Sequence, residues 1–197
     1  MPHNPDLSLH WQSFIELACA RFIASGTGIG AEVAPLLLPL AQKKLDWNQS
    51  PNSLPLNLSI NAITDVNLRT AMAAIVPALT WVERGFFSNS EDVNRAYIEL
   101  VGPEGVLLND QFRFGIYWQQ SDTFYPKHRH DALELYHIIS GTAFWQIAEQ
   151  DFEVRLPGAS FEHLDRIDHA VRTEDEDLLA IWAWRGDLDF GNYSMDG

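Results

Sequence analysis

The segment Y-P-K-H-R-H-D-A-L-E-L-Y-H-I-I-S-G, residues 125–141, carries side chains whose types and spacing could bind a metal ion. His128, His130 and Glu134 supply two imidazoles and a carboxylate, which are ligands that suit zinc, iron, manganese or nickel. These three positions and Tyr136 are all even-numbered, so an extended chain projects their side chains from one face of a sheet. The alternative is an ordinary solvated sheet face, where charged residues also alternate. The full spacing favours a metal site.

The composition narrows the class of protein. The chain has 197 residues, 46% of them hydrophobic, and 13 basic against 27 acidic side chains give a net charge of −14. Nucleic acids and anionic membrane surfaces need a basic footprint, so the charge argues against both as partners. Cys19 is the only cysteine, which excludes an intramolecular disulfide, and its apolar neighbours predict a buried thiol.

The sequence predicts neither a secretory signal nor a membrane span. The N-terminal residues lack a basic start followed by an apolar run, so they do not read as a secretory signal. No apolar run approaches the roughly 18 residues that span a bilayer. The sequence therefore predicts a soluble, cytoplasmic protein with no membrane partner.

The elements that must position the metal segment fall into two regions. Apolar residues at helical spacing predict helices over residues 6–25, 31–45 and 61–76, and Pro39 is expected to kink or break the second of them. A loop rich in Asn, Ser and Pro is predicted over 47–58. These helices carry no cluster of titratable side chains, so residues 1–77 are interpreted as an N-terminal helical extension. Their apolar faces are compatible with a cap or with a homodimer interface.

Residues 78–197 have a different pattern, in which short stretches of period two are separated by turns. Many strands without intervening helices are typical of an antiparallel β-barrel or double-sheet jelly roll. A mainly β protein with a barrel over 78–197 is therefore expected. The predicted strands outside the metal segment cover residues 96–101, 112–118, 142–148, 152–156 and 178–185.

A barrel brings distant strands to one interior, so we expect a fourth metal ligand from another strand. His163 and His169 are the candidates, and spacing alone does not separate them. His137 projects from the face opposite the ligands and is predicted to be structural.

The spacing H-x-H-x3-E-x6-G over residues 128–141 is similar to the first signature motif of the cupin superfamily. Asp122 stands where that motif has a glycine, and Pro157–Gly158 is followed by a longer insertion than the second cupin motif has. Within the superfamily, residues 95–185 resemble the cupin-type dimethylsulfoniopropionate (DMSP) lyases, which also have a helical N-terminal portion. The features that carry the resemblance are Tyr125–Pro126, Glu134 to Tyr136, His169–Ala170 with Thr173, and Ala183–Trp184.

The resemblance implies a carbon–sulfur lyase that binds one divalent transition metal and converts a small zwitterionic sulfonium, DMSP, to dimethyl sulfide and acrylate by β-elimination. It favours His169 over His163, although Asp168 replaces the proline common before that histidine. Another cupin enzyme, such as a dioxygenase or isomerase, and a cupin that only binds a small ligand are the alternatives. The implied residues are His128, His130, Glu134 and His169 as metal ligands, Tyr136 as general base, and Tyr125 and Trp184 as substrate-binding aromatics.

Overall fold

A computed structural model describes residues 5–45, 47, 56–83 and 94–195. Its helices lie at the N-terminal end of the chain, before a series of short strands. None of the described helices combines the length and apolar character needed to cross a membrane. The helices are α1 (Pro5–Ala24), α2 (Gly28–Leu37), α3 (Leu56–Asn61) and α4 (Val66–Ile75), with 3-10 turns at Leu38–Gln42, Val76–Ala78 and Phe190–Asn192.

The predicted helices are confirmed in type, and two of them have different bounds. The helical stretch over 31–45 breaks near Pro39 as expected, because proline has no backbone N–H. The helix α2 begins earlier than predicted, at Gly28, and ends at Leu37, and Pro39 lies in a following 3-10 turn. The predicted helix over 61–76 divides, since Asp65 accepts hydrogen bonds from the N–H groups of Asn67 and Leu68 at 2.9 and 3.1 Å and so starts α4. Residues 48–55 of the predicted loop over 47–58 lie outside the described residues, and the loop prediction is wrong for residues 56–58, which belong to α3.

The strands form two sheets, which confirms the mainly β, double-sheet fold. One sheet has the order β1-β2-β4-β11-β6-β9 with β3 beside β2, and the other has the order β12-β5-β10-β7-β8. Every pair is antiparallel except β2 with β3. The strands are β1 (Val82–Glu83), β2 (Arg95–Gly102), β3 (Leu107–Leu108), β4 (Arg113–Gln119), β5 (Phe124–Arg129), β6 (Ala132–Ser140), β7 (Ala143–Ile147), β8 (Glu153–Arg155), β9 (Ser160–His163), β10 (His169–Thr173), β11 (Leu178–Gly186) and β12 (Ser194–Met195).

Two hydrophobic cores lie on opposite faces of the larger sheet. The outer core joins that sheet to the helices, and the inner core lies between the two sheets. The outer core includes Trp11, Phe14, Phe22, Phe114, Leu135 and Ile139, and the inner core includes Tyr117, Tyr136, Trp145, Phe161, Trp182 and Trp184. The helices and the larger sheet share one core, so the division of the chain into residues 1–77 and 78–197 stays a prediction. The homodimer also stays a prediction.

Two tight turns hold the ends of the strands that carry the metal segment. Gly141, just after β6, has φ of +79°, and a Cβ there would overlap the carbonyl of Asp177. Asp122, just before β5, has φ of +52°. Aspartate is one of the few residue types other than glycine that tolerates this left-handed region, which explains how it replaces the motif's glycine.

Candidate active site

Strand register assembles the candidate ligands from four strands of both sheets. On β6, Glu134 lies opposite Trp184 of β11 and opposite His163 of β9. In the other sheet, His169 of β10 lies opposite His128 of β5. The two sheets face each other, so these side chains meet in the inner core.

Three of the histidines are anchored in the same way. In each, the Nδ1–H group donates to a backbone carbonyl two residues away, and since a carbonyl can only accept, the proton must be on Nδ1. The opposite nitrogen, Nε2, is then left with a lone pair that can bind a metal, as is usual for metal-binding histidines. The bonds are His128 to Pro126 at 2.8 Å, His130 to Ala132 at 3.0 Å, and His169 to Ile167 at 2.9 Å.

The Glu134 carboxylate is the centre of the cluster. Its Oε1 atom accepts a hydrogen bond from the Trp184 indole N–H at 2.7 Å, which fixes the carboxylate and directs Oε2 to the histidines. His130 Nε2 lies 3.1 Å from Oε2, and His169 Nε2 lies 3.6 Å from it. One ligand atom from each of these three residues lies within 4.8 Å of the others, and all three residues are buried. This group is compatible with one metal ion.

Both candidates for the fourth ligand come to this cluster. His163 Nδ1 lies 3.1 Å from Glu134 Oε2, and the His163 ring stacks on His169 at 4.0 Å between ring centroids. His128 approaches His169 from another side, also at 4.0 Å between centroids. The sequence left His163 and His169 as alternatives, and in the structure both lie in the cluster around Glu134.

Electrostatics favour the protonation states that metal binding requires. Burial would raise the pKa of the Glu134 carboxyl, but the adjacent His130 and His163 side chains outweigh burial and hold it well below its usual value. Burial lowers the pKa of His128 to about 3 and holds the pKa of His169 well below its usual value. At neutral pH the imidazoles of His128 and His169 are therefore neutral and the Glu134 carboxylate is ionised.

The cluster also leaves polar atoms that a metal could satisfy. The Nε2 atoms of His163 and His169 are buried and have no hydrogen-bond partner among the described residues. A buried polar atom without a partner is costly, so such atoms indicate a missing ligand. The donors present are imidazole nitrogens and a carboxylate oxygen, which fit a divalent transition metal.

An aromatic cavity opens beside the cluster. All five tyrosines of the chain line it, together with predicted site residue Trp184. The Tyr136 ring lies 6.0 Å from Tyr117 and 4.7 Å from Trp145, between centroids. The remaining lining residues are Arg95, Ala96, His128, His130, Glu134, Trp182 and Phe190.

The structure changes how Tyr125 can act. Its ring stacks on His128 at 3.9 Å between centroids with an angle of 11°, and the Arg95 guanidinium lies 3.6 Å from the same centroid. Two groups this close to one ring must cover its two faces. Tyr125 therefore meets the cavity through its edge and its hydroxyl, which forms a hydrogen bond with the Tyr193 hydroxyl. The two faces of the Tyr125 ring are therefore not open to the cavity.

Arg95 and Tyr193 are two of the cavity residues that the sequence did not indicate. Arg95 is the first residue of β2, and nothing in its neighbours distinguishes it from a surface arginine. Tyr193 comes just before β12, a two-residue strand that pairs with β5 and that shows no periodicity. His137, predicted to be structural, lies on the other face of β6, where its Nδ1 is 2.7 Å from the Ser160 hydroxyl.

The barrel and its buried histidine–carboxylate cluster define a protein of the cupin class. The sequence profile of the dimethylsulfoniopropionate lyase family matches residues 36–180, and the chain belongs to this family. This assignment confirms the resemblance noted in the sequence.

Individual relatives agree with the family assignment. The chain is 31% identical over 90 residues to dimethylsulfoniopropionate lyase DddQ of Ruegeria pomeroyi, which is 46% of this chain and 45% of DddQ. It is 31% identical over 120 residues to the putative dimethylsulfoniopropionate lyase DddL of Cereibacter sphaeroides, 59% of this chain and 50% of DddL. The chain spans about half the length of the curated relatives it matches.

Solved structures support the fold. One chain from the crystal structures of the DMSP lyases RdDddP and RnDddQII has a TM-score of 0.62 and 22% identity, covering 93% of this chain and 100% of that one. The crystal structure of DddQ from Ruegeria pomeroyi has a TM-score of 0.59 and 22% identity, covering 90% of this chain and 95% of that one. The helical region and the barrel are thus shared as one fold.

Proposed function

We propose that this protein is a metal-dependent carbon–sulfur lyase that cleaves DMSP by β-elimination to dimethyl sulfide and acrylate. The observation that carries the proposal is the buried cluster around Glu134, which opens onto a cavity lined by every tyrosine of the chain. Membership of the DMSP lyase family supplies the substrate class.

The metal would be held by His128, His130, Glu134 and His169, and iron, zinc, manganese and nickel all suit these ligands. When bound, the ion would supply a Lewis acid that stabilises negative charge on the substrate carboxylate and favours a nearby phenolate. Support for His169 as the fourth ligand is its Nδ1–H bond to a carbonyl, which matches the anchoring of His128 and His130. His163 instead directs Nδ1 to the carboxylate, as a residue that orients Glu134 would.

Tyr136 is the proposed general base. It lines the cavity two residues beyond Glu134 on the same face of β6 and is 7% exposed. Burial, and after it the negative charge of Glu134, raises the pKa of the Tyr136 phenol well above its usual value. The phenol therefore stays protonated unless positive charge balances Glu134, which ties the base to an occupied metal site.

The elimination can be balanced with these groups. The Tyr136 phenolate takes the α-proton, the electron pair left on the α-carbon forms the carbon–carbon double bond, and the bond from the β-carbon to sulfur breaks. Sulfur leaves with that bond's electrons as neutral dimethyl sulfide. Trp184 would hold the sulfonium before cleavage, since aromatic faces bind soft cations, and Tyr125 would contact the substrate through its hydroxyl. Neutralisation of the sulfonium removes that attraction and favours release.

The experiment is detection of dimethyl sulfide in the headspace over purified protein with DMSP, with and without a chelator. We expect release that the chelator abolishes, and a Tyr136→Phe variant that keeps its metal content and loses at least about a hundredfold in turnover, the lower end of general-base contributions. Absence of chelator-sensitive release would refute the lyase proposal in favour of another cupin enzyme or a binding protein. Undiminished turnover by Tyr136→Phe would refute only the base.

A further inference from the structure

Two buried arginines of the larger sheet differ in how their charge is balanced. Arg113, which is 3% exposed, forms an ion pair with Glu99 and donates to the Leu188 carbonyl from Nε at 3.0 Å and from an Nη at 2.8 Å. Arg95, which is 8% exposed, forms no ion pair with any acidic side chain in the described ranges. A buried cation without an anionic partner is unfavourable, so Arg95 needs an explanation that Arg113 does not.

The position of Arg95 supplies that explanation. Its guanidinium lines the cavity and covers the face of Tyr125 that His128 leaves open. A guanidinium stacked on a ring keeps its N–H donors in its own plane, where they can form two parallel hydrogen bonds to a carboxylate. Among the residues that the structure describes, Glu134 is the only acidic one that lines the cavity, and its two oxygens already face Trp184 and the histidines.

The guanidinium of Arg95 already forms hydrogen bonds with the phenols of Tyr117 and Tyr125, whereas another donor in the same cavity has no acceptor. Trp182 lines the cavity, and its indole N–H is buried without a hydrogen-bond partner in the part of the chain that the structure describes. The Trp182 ring has room because Gly115 lies opposite it on β4, where a Cβ would come within 2.8 Å of the ring. A cavity with one unpaired cation and one unused donor is suited to an anionic ligand group.

We propose that Arg95 binds the carboxylate of the substrate, and does so whether or not a metal ion is present. This inference rests on the proposed function for the identity of the substrate, and it assigns the specificity for an acid to a residue outside the metal cluster. A carboxylate has two oxygens with about four acceptor positions, so contact with Arg95 leaves one oxygen available to an ion. The substrate class is a small carboxylic acid whose cationic end is directed away from Arg95, since like charges repel.

The test uses propionate, a three-carbon acid, and propionamide, its neutral isostere, as probes of the full-length protein. Binding of each is measured by ligand-observed NMR titration, with metal-loaded protein and with protein stripped by a chelator. The variants are Arg95→Gln, which removes the charge, and Arg95→Lys, which keeps the charge and loses the two-donor geometry. Arg172→Gln is the matched control, because Arg172 also lies over an aromatic ring, Phe144 at 4.8 Å, but does not line the cavity.

We expect metal-free protein to bind propionate at least about tenfold more tightly than propionamide, as for a charge-assisted pair of hydrogen bonds. Arg95→Gln should abolish this preference, Arg95→Lys should retain part of it, and Arg172→Gln should leave it intact. Equal binding of the two probes by metal-free protein would overturn the inference. So would a preference that survives in Arg95→Gln; if that variant does not fold, an undiminished preference in Arg95→Lys has the same meaning.

Release of dimethyl sulfide from DMSP, measured on the same preparations, separates this inference from the proposed function. An Arg95-dependent preference for propionate without any release would leave the carboxylate site standing and refute the lyase. Release with no role for Arg95 in propionate binding would refute the inference alone.

Discussion

The two faces of β6 carry different kinds of side chain within one nine-residue strand. Leu135 and Ile139 face the outer core, where they pack with helix residues, whereas Glu134 and Tyr136 face the inner core and the cavity. The outer face gains stability from buried apolar area, at about 25 cal/mol per Å². The inner face buries a carboxylate among imidazoles, which favours metal binding and contributes little to the metal-free fold. Adjacent residues of this strand thus face two different environments, an apolar core and the candidate site.

The largest expected effect comes from the inner face. Glu134→Gln keeps the shape of the side chain but removes the charge at the centre of the cluster, so we expect metal affinity and lyase turnover to fall at least about a hundredfold. Metal per chain, by elemental analysis, and headspace dimethyl sulfide measure the two losses. His137→Gln, on the outer face of the same strand, is the control and should keep both. Retention of metal by Glu134→Gln would break the assignment of chemistry to this face.

For Leu135, the adjacent residue on the outer face, we expect a variant to lose stability and to keep its metal. Leu135 is fully buried, and Leu135→Ala should lower the free energy of unfolding by about 2–5 kcal/mol, because it loses buried area and leaves a cavity. Urea denaturation of chelator-treated protein measures this loss. Metal per folded chain should equal that of the wild type. A Leu135→Ala protein that is stable but metal-free would show that the two faces are coupled.

A smaller effect concerns His137, on the outer face, and the pH dependence of the free energy of unfolding. Burial, with a contribution from the nearby Arg21, lowers the pKa of His137 from 6.5 to about 4. Between these values the unfolded chain binds a proton at His137 that the folded chain excludes. The contribution of this histidine to the free energy of unfolding is therefore fully present above pH 6.5 and is lost as the pH falls towards 4. The loss from this histidine is on the order of 3 kcal/mol.

Denaturation of chelator-treated protein across that pH range measures the slope. In His137→Gln the slope should decrease by the equivalent of one proton, while the contribution of cavity residue His128 remains, since its pKa is also lowered, to about 3. An unchanged slope would show that His137 is already protonated in the folded protein.

Sequence alone predicted the separation of the two faces because strand side chains alternate with period two. The parity of Glu134 and Tyr136 placed them on the ligand face, and His137 on the other, without knowledge of the fold. The four-strand assembly depends on register, which includes an irregularity between His169 and Val171 and is fixed by contacts distant in sequence. That is why spacing alone did not separate His163 from His169, and why both reach the cluster.

The helix bounds and Arg95 show a different limit. Leu37 ends α2 where the chain continues into a 3-10 turn, although the apolar pattern continues to Leu45. Arg95 lines the cavity without an acidic partner among the described residues, and nothing in the local sequence indicates this. The sequence therefore predicted which apolar residues are buried, whereas only the structure shows how the charges of buried residues are balanced.

The placement of every tyrosine in the cavity has an optical consequence. Tyrosinate absorbs in the ultraviolet at longer wavelength than tyrosine, and in most proteins that signal is a sum over unrelated surface and core phenols. In this chain, any ionised phenol belongs to the cavity. A difference spectrum recorded during metal or ligand titration would therefore report proton loss inside the site directly, without a label and without turnover.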